Sequence, residues 1–170
     1  MKEKGTLYFF TGLAGAGKST IGGLFYERLK EKRPEALLMD GHQLREEAVS
    51  AGVPRDYSLA ARLEGARSAF PTFRDLTEEG HDVVVCSIAM FDEIREWNRA
   101  NIEKYKEIYL KVGLDVLRTR RKRLYSGEEA QVVGMDLPWD EPKTPDIVIE
   151  NDGSESPEEI VDRLAAFFGL

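Results

Sequence analysis

The chain has 170 residues, of which 42% are hydrophobic and 32% are charged, a balance that allows a folded core and argues against disorder. Asp and Glu outnumber Lys and Arg by 31 to 24, and the net charge of -7 disfavours a general nucleic-acid-binding role. The single cysteine, Cys86, excludes an intrachain disulfide and fits a reducing cytoplasm. No apolar run is long enough to cross a bilayer, and the N-terminal residues lack the apolar stretch of a signal peptide, so we expect no membrane association.

Strands and helices are predicted to alternate along the whole chain. Short apolar runs predict β-strands at residues 6–11, 36–39, 82–88, 107–112 and 146–150. Helical spacing, caps and breakers predict helices at residues 21–29, 43–51, 58–79, 92–105, 114–123 and 156–168. Because the strands are apolar on both faces, we predict a three-layer α/β fold with about five parallel strands, formed by a single domain over residues 1–170. The polar segment 124–145, rich in glycine and proline, is predicted to be a mobile lid.

The segment after the first predicted strand reads G-L-A-G-A-G-K-S and fits the phosphate-binding pattern G-x-x-x-x-G-K-[ST] in full. It lies between a predicted strand and a predicted helix, which is the context that this loop requires. Glycines let successive backbone N–H groups point at phosphate oxygens, and the helix N-terminus adds partial positive charge. Lys18 would reach the β- and γ-phosphates of ATP, and the Ser19 hydroxyl would hold Mg²⁺. The predicted ATP-binding residues are Gly12, Leu13, Ala14, Gly15, Ala16, Gly17, Lys18, Ser19 and Thr20.

Three classes of enzyme carry such a loop, and two of them fit the sequence poorly. GTPases need a guanine-reading N-K-x-D segment, which is absent here. Motor and helicase ATPases need an acidic residue that closes a core strand, and residues 83–87, V-V-V-C-S, contain none. A P-loop kinase for a small molecule is the class that is left. A non-catalytic nucleotide-binding module stays open as an alternative.

A kinase of this kind needs an acid near the acceptor hydroxyl and positive groups near the transferred phosphoryl. Asp40 ends the second predicted strand, at the edge of the sheet where ligands bind in open α/β folds. Its simpler interpretation is a helix cap or turn residue. A basic cluster enters the predicted lid and either contacts phosphate or is a solvated helix end; its members are Arg118, Arg120, Arg121, Lys122 and Arg123.

With these residues identified, the chain resembles the adenylylsulfate (APS) kinases over nearly its whole length. Residues 40–45, D-G-H-Q-L-R, are similar to the family's D-G-D-x-x-R, and residues 57–64, Y-S-L-A-A-R-L-E, to F-S-x-x-D-R-x-E. Residues 122–125, K-R-L-Y, resemble K-G-L-Y, and residues 134–142 resemble G-I-D-x-P-Y-E-x-P. Residues 87–91, S-I-A-M-F, lie where the family has F-I-S-P.

The resemblance implies a P-loop kinase fold and transfer of the ATP γ-phosphate to a ribose hydroxyl of a nucleotide, the 3′-hydroxyl of adenylylsulfate in that family. ATP and Mg²⁺ would be the cofactors, and a homodimer is hinted at. Lys18 and Asp40 would be the catalytic residues, with Asp40 as base or water-mediated metal ligand. The implied acceptor-binding residues have several roles: Arg45 and Arg62 hold the anionic part, Tyr57 stacks on the base, Ile88 lends backbone contacts and Lys122 comes from the basic cluster.

The departures from the family pattern lie on the acceptor side. His42 replaces the second acid of D-G-D, and Ser87 replaces the aromatic residue, so that one face of a base-stacking pair is missing. Further differences are Ala61 for the acid of D-R-x-E, Gly65 for an asparagine, and Ala89 for a serine. This pattern suits a kinase that accepts a different nucleotide. One branch of the family, from capsule biosynthesis, phosphorylates cytidine diphosphoramidate, and residues 88–94 resemble it. The two acceptors stay open, with a sugar kinase as a more distant alternative.

Overall fold

The computed structural model describes residues 3–89 and 91–170. The strands are β1 (Leu7–Thr11), β2 (Leu37–Asp40), β3 (Val83–Cys86), β4 (Tyr105–Lys111) and β5 (Ile147–Glu150). The helices are α1 (Lys18–Lys30), α2 (Gly41–Ser50), α3 (Leu59–Glu78), α4 (Asp92–Asn101), α5 (Leu114–Arg120) and α6 (Pro157–Phe168). No helix within the described part of the chain is long and apolar enough to span a membrane.

The strands form one parallel sheet in the order β2-β3-β1-β4-β5, which confirms the predicted α/β class. β1 is central, and all five of its residues are buried. Its side chains alternate between two cores. Tyr8 and Phe10 pack with α1 and α6 on one face of the sheet, and Leu7 and Phe9 pack with α3 and α4 on the other. A parallel sheet covered on both faces is the three-layer arrangement that the strand composition predicts.

Two predicted helices are too long, and both errors fall at their C-terminal ends. The helix predicted to reach Tyr105 ends at Asn101, because the next residue, Ile102, has an extended backbone (φ -114°, ψ 111°). Tyr105 then pairs with Leu7 as the first residue of β4. The helix predicted to reach residue 123 ends at Arg120, beyond which the chain forms turns.

The segment predicted to be a lid contains mostly turns and irregular backbone, with a single isolated bridge between Val133 and Leu137. Part of it packs firmly. Tyr125, Val132 and Val133 are buried in a small cluster with Leu13 of the phosphate loop and Leu117 of α5. This cluster fixes the position of the segment over the carboxyl edge of the sheet, where β1, β2 and β3 end.

Candidate active site

The phosphate loop has the backbone that its glycines allow. Gly15 and Gly17 have φ values of +86° and +96°, in the left-handed region that side chains disfavour. A Cβ on Gly12, whose φ is +152°, would lie 2.5 Å from the carbonyl oxygen of Leu110. Gly17 caps α1 and offers no side chain to its first N–H groups. The first turn of α1 therefore leaves its N–H groups available to an anion.

The Lys18 side chain is folded back onto this loop. Its Nζ donates hydrogen bonds to the carbonyl oxygens of Gly12 at 2.8 Å and Leu13 at 2.9 Å. Burial disfavours the charged ammonium and lowers the pKa of Lys18 to about 8, with the nearby charge of Asp40 opposing this shift. A phosphate placed at the loop would give this ammonium a stronger partner than either carbonyl.

The two oxygens of the Asp40 carboxylate have different partners, and one of them confirms the simpler interpretation as a helix cap. Oδ1 accepts hydrogen bonds from the backbone N–H groups of His42 at 2.8 Å and Gln43 at 3.3 Å and so caps α2. Oδ2 accepts a hydrogen bond from the Ser19 hydroxyl. The strand-end acid and the helix-start serine are therefore in contact, although 21 residues separate them in the sequence.

The Ser19–Asp40 pair supplies the donor chemistry that Mg²⁺ prefers, since both groups offer oxygen atoms. In the described residues no group of three or more His, Cys, Asp and Glu side chains could hold a metal ion alone. A magnesium ion that completes its coordination with nucleotide phosphates and water needs only one or two protein ligands. The residues present fit Mg²⁺ delivered with ATP.

Three distant side chains brace the loop from outside. The sequence predicts no role for Asn151 or Tyr125, and it places Arg120 only in the basic cluster. The Asn151 amide donates to the Ala16 carbonyl at 2.9 Å, the Tyr125 hydroxyl to the Ala14 carbonyl at 2.7 Å, and Arg120 to the Gly15 carbonyl at 3.3 Å. Asn151 follows β5, so a polar residue at a strand end was the available signal. Tyr125 belongs to the K-R-L-Y segment, and the resemblance of this segment to K-G-L-Y implies no role for the tyrosine.

A cavity of about 1180 Å³ opens beside the phosphate loop. It collects most of the side chains predicted for the site, namely Lys18, Ser19, Asp40, Arg45, Tyr57, Arg62 and Ile88. Lys122 is exposed and is not part of this lining; its neighbour Arg121 lines the cavity instead. α5 ends at Arg120, before both residues, and the turn that follows directs Arg121 toward Gly15.

The far side of the cavity has two arginines arranged around one tyrosine. The guanidinium carbons of Arg45 and Arg62 lie 5.3 and 5.5 Å from the centre of the Tyr57 ring. Arg62 also donates to the carbonyl oxygens of Tyr57 at 2.9 Å and Gln131 at 3.2 Å. Burial, with the nearby charge of Arg45, lowers the pKa of Arg62.

Neither of these arginines has a neutralising partner in the described residues. The ion pairs found there include no carboxylate within 4.0 Å of Arg45 or Arg62. Two guanidinium groups near one tyrosine ring, neither of them paired with a carboxylate within 4.0 Å, form a strong site for an anion.

The backbone after β3 forms another part of the cavity wall. The Ile88 carbonyl accepts a hydrogen bond of 2.6 Å from the buried Thr11 hydroxyl at the end of β1. Ala89 follows with a φ of +32°, a conformation that non-glycine residues rarely adopt. Ser87, on the same wall, lies next to Gly41 at the start of α2.

Comparison with known proteins agrees with this geometry. The sequence profile of the Adenylylsulphate kinase family matches residues 4–150. A cytidine diphosphoramidate kinase of Campylobacter jejuni is 35% identical to this chain over 169 residues, and the match covers 96% of both chains. An adenylyl-sulfate kinase of Bacillus velezensis is 30% identical, and that match covers 98% of this chain and 86% of the relative. The Mycobacterium tuberculosis APS kinase CysC, solved in complex with AMPPNP and APS, superposes with a TM-score of 0.82 at 28% identity, over 98% of this chain and 99% of that one. The family uses ATP with Mg²⁺, for which the phosphate loop and the Ser19–Asp40 pair are suited. This chain belongs to the adenylylsulphate kinase family.

Proposed function

We propose that this protein transfers the γ-phosphate of ATP to a ribose hydroxyl of a nucleotide that carries a second anionic group. The observation that supports this most directly is the pair of unneutralised arginines, Arg45 and Arg62, at Tyr57. They lie in the same cavity as Lys18 and the Ser19–Asp40 pair. One end of the cavity is thus suited to ATP and the other to a second nucleotide with an anionic tail.

Among the two acceptors left open by the sequence, we favour cytidine diphosphoramidate over adenylylsulfate. The chain is 35% identical to a cytidine diphosphoramidate kinase over 96% of both chains, against 30% for the Bacillus velezensis adenylyl-sulfate kinase. Ser87 lines the cavity in place of the aromatic residue of the adenylylsulfate kinases, so a purine base would lose one stacking surface. A smaller pyrimidine base depends less on that surface.

In the proposed reaction the acceptor hydroxyl attacks the γ-phosphorus. A new oxygen–phosphorus bond forms, the bond from the γ-phosphorus to the ADP oxygen breaks, and the proton of the hydroxyl leaves. Lys18 would place positive charge against the β- and γ-phosphates, and the backbone of the phosphate loop would hold them. Asp40 would orient the acceptor or accept its proton, directly or through water. Mg²⁺, held by Ser19 and Asp40, would neutralise phosphate charge when bound.

We propose that the segment 124–145 acts as a lid over the cavity. Gln131 on this segment already contacts Arg62 through its carbonyl oxygen, and Arg121, just before the segment, lines the cavity. Closure of the segment over both nucleotides would exclude water and so favour transfer to the acceptor over hydrolysis of ATP.

Location and assembly remain predictions. The buried free thiol of Cys86 is compatible with the reducing cytoplasm that we propose as the site of action. A homodimer is proposed from the resemblance alone, and the mass of the protein in solution, measured by light scattering, tests it.

The decisive experiment measures ADP release with adenylylsulfate and with cytidine diphosphoramidate side by side, in the presence of Mg²⁺. We expect turnover with the cytidine nucleotide to exceed turnover with adenylylsulfate, and mass spectrometry of the product to show one added phosphate. Faster turnover with adenylylsulfate would reverse our choice of acceptor. ATP binding without turnover of any nucleotide would instead indicate the non-catalytic nucleotide-binding module.

A further inference from the structure

A chain of polar contacts runs from α2 to the hydroxyl of Tyr57. One oxygen of Glu46 accepts a hydrogen bond from Arg55 at 2.8 Å, and the other guanidinium nitrogen of Arg55 donates to the Tyr57 hydroxyl at 3.1 Å. The second oxygen of Glu46 is buried and has no hydrogen-bond partner. The carboxylate therefore depends on Arg55 for its neutralisation, and this dependence fixes the position of the guanidinium.

Tyr57 is consequently held from several directions. Arg45 and Arg62 lie over its ring, and Arg55 holds its hydroxyl. Arg55 can only donate, so the phenolic oxygen accepts this hydrogen bond. The phenolic proton is thereby left to point away from Arg55. Because Tyr57 lines the cavity, that proton is available to an oxygen atom of a bound nucleotide.

We propose that the Glu46–Arg55 pair positions Tyr57 so that its hydroxyl donates a hydrogen bond to the acceptor nucleotide, which makes Arg55 a positioning residue for acceptor binding. This inference rests on the proposed function, because it takes the Tyr57 end of the cavity as the acceptor site. The sequence supports it in one respect. The F-S-x-x-D-R-x-E stretch has phenylalanine where this chain has Tyr57, and without a hydroxyl there is nothing at this position for Arg55 to hold.

The simpler interpretation of Glu46–Arg55 is an ordinary surface ion pair. Both side chains are partly exposed, at 39% and 50%, and such pairs contribute little to stability. The two interpretations differ in where a substitution acts. A surface pair would affect stability slightly and catalysis not at all, whereas a positioning pair would affect acceptor binding only while the Tyr57 hydroxyl is present.

A double-mutant cycle of Arg55→Met and Tyr57→Phe separates these interpretations. KM and kcat are measured for the acceptor and for ATP in the unchanged protein, both single variants and the double variant. We expect each single variant to raise the acceptor KM by about three- to tenfold, the loss of one hydrogen bond. The acceptor KM of the double variant should be no higher than that of the more affected single variant. The KM for ATP should not change in any variant.

A matched control is the Arg67–Glu93 ion pair, which has the same 2.8 Å separation and similar exposure and lies outside the cavity lining. Arg67→Met is expected to leave the acceptor KM unchanged. Tyr57→Phe keeps the ring and its packing, so it tests the inference even where Arg55→Met folds poorly by circular dichroism.

The inference is overturned by additive effects in the cycle, by an unchanged acceptor KM in Arg55→Met, or by an equal rise in the KM for ATP. These outcomes all presuppose that the unchanged protein phosphorylates the acceptor. If it phosphorylates neither nucleotide, the proposed function itself fails, and the positioning role of Arg55 fails with it.

Discussion

The Ser19 hydroxyl donates a hydrogen bond to the Asp40 carboxylate, and this contact joins the phosphate loop to the end of β2. Ser19 comes from the first turn of α1, and Asp40 is the last residue of β2 and the N-cap residue of α2. The pair therefore lies between the phosphate loop and α2, where the proposed ATP end and the proposed acceptor end of the cavity meet. This position makes Asp40 the residue at which a role in chemistry can be separated from a role in folding.

Asp40→Asn is expected to keep ATP binding and to lose most phosphoryl transfer. Asparagine caps a helix about as well as aspartate, so α2 should stay folded. An amide neither accepts the acceptor proton nor holds Mg²⁺ well, and we expect kcat to fall by about 10²–10⁴-fold. Steady-state kinetics at saturating ATP and acceptor measure this loss.

A second substitution at the same position provides the control for folding. Asp40→Ala removes the cap as well and is expected to lower the free energy of unfolding by about 1 kcal/mol, measured by urea denaturation. Unchanged kcat in Asp40→Asn, together with a destabilised Asp40→Ala, would show that Asp40 is only a cap.

Lys18 should make ATP binding sensitive to pH. In the free protein burial lowers its pKa to about 8, and a bound phosphate favours the charged form and so raises that pKa. ATP should therefore bind with constant affinity well below the free pKa. As the pH rises above about 8, Kd should increase by up to about tenfold per unit, because a proton must then be taken up on binding. Calorimetry in buffers of different ionisation enthalpy measures that proton uptake.

Lys18→Ala serves as the comparison for this titration. It should lose the pH dependence around the free pKa of Lys18. Its turnover should fall by several orders of magnitude while the fold remains intact, because the positive charge that Lys18 places beside the β- and γ-phosphates is gone. Near-normal turnover in a folded Lys18→Ala protein would contradict the role of this residue. An unchanged pH profile would assign the titration to another group.

The phosphate loop and the sheet class could be predicted because their signals are local in the sequence. Glycine spacing specifies the loop, and apolar runs specify the strands. The contacts of Tyr125 and Asn151 with the loop could not be predicted in this way, because 111 and 135 residues separate the partners and no short pattern joins them. These contacts are tertiary and depend on how β5 and the lid segment pack against the phosphate loop.

The choice between Arg121 and Lys122 shows a second limit of the sequence. Both are basic, and both lie in the last turn of the predicted helix 114–123. Which of them lines the cavity depends on the residue at which α5 ends, and helix ends are the least certain part of such a prediction. The structure ends α5 at Arg120 and brings Arg121 beside Gly15. Arg121 is thus the stronger candidate for a phosphate contact near the lid.

A buried charge network between α4 and β4 should contribute to the free energy of unfolding on the face of the sheet that α3 and α4 cover. Glu107 is fully buried and accepts hydrogen bonds from Arg99 at 2.6 Å and Tyr105 at 3.0 Å, with the buried Arg95 3.9 Å away. Glu107→Gln keeps the shape and leaves Arg99 without its carboxylate, while Arg95 keeps its pair with Asp92 at 2.7 Å. Because burial already disfavours the Glu107 charge and raises its pKa, we expect a loss of about 3 kcal/mol in the free energy of unfolding, at the low end for a broken buried pair. Urea denaturation measures it.

The control for this prediction is the exposed Arg28–Asp162 pair, whose donor and acceptor are 2.6 Å apart. Asp162→Asn should cost at most about 1 kcal/mol because solvent screens both charges. Equal losses in the two variants would mean that burial does not set the strength of the Glu107 network.

The acceptor site gives the most demanding prediction, which concerns Arg45→Lys and Arg62→Lys. Both substitutions keep the positive charge and lose the planar fork that can grip two oxygens of a sulfate, phosphate or phosphoramidate group. Hydrogen bonds to charged groups contribute on the order of 1.5–3 kcal/mol, so each variant should raise the acceptor KM about tenfold or more. The KM for ATP should barely change, because neither arginine is part of the phosphate loop.

Arg163→Lys is the matched control, since Arg163 forms an exposed ion pair with Glu155 at 2.7 Å on and beside α6, outside the cavity lining. It should leave both KM values unchanged. Normal acceptor KM in both Arg45→Lys and Arg62→Lys would mean that the arginine pair at Tyr57 does not bind the anionic group. A rise in the KM for ATP instead would place ATP, and not the acceptor, at this end of the cavity. In either case the cytidine and adenylylsulfate hypotheses would lose the same structural support, because both depend on these two arginines to hold the acceptor.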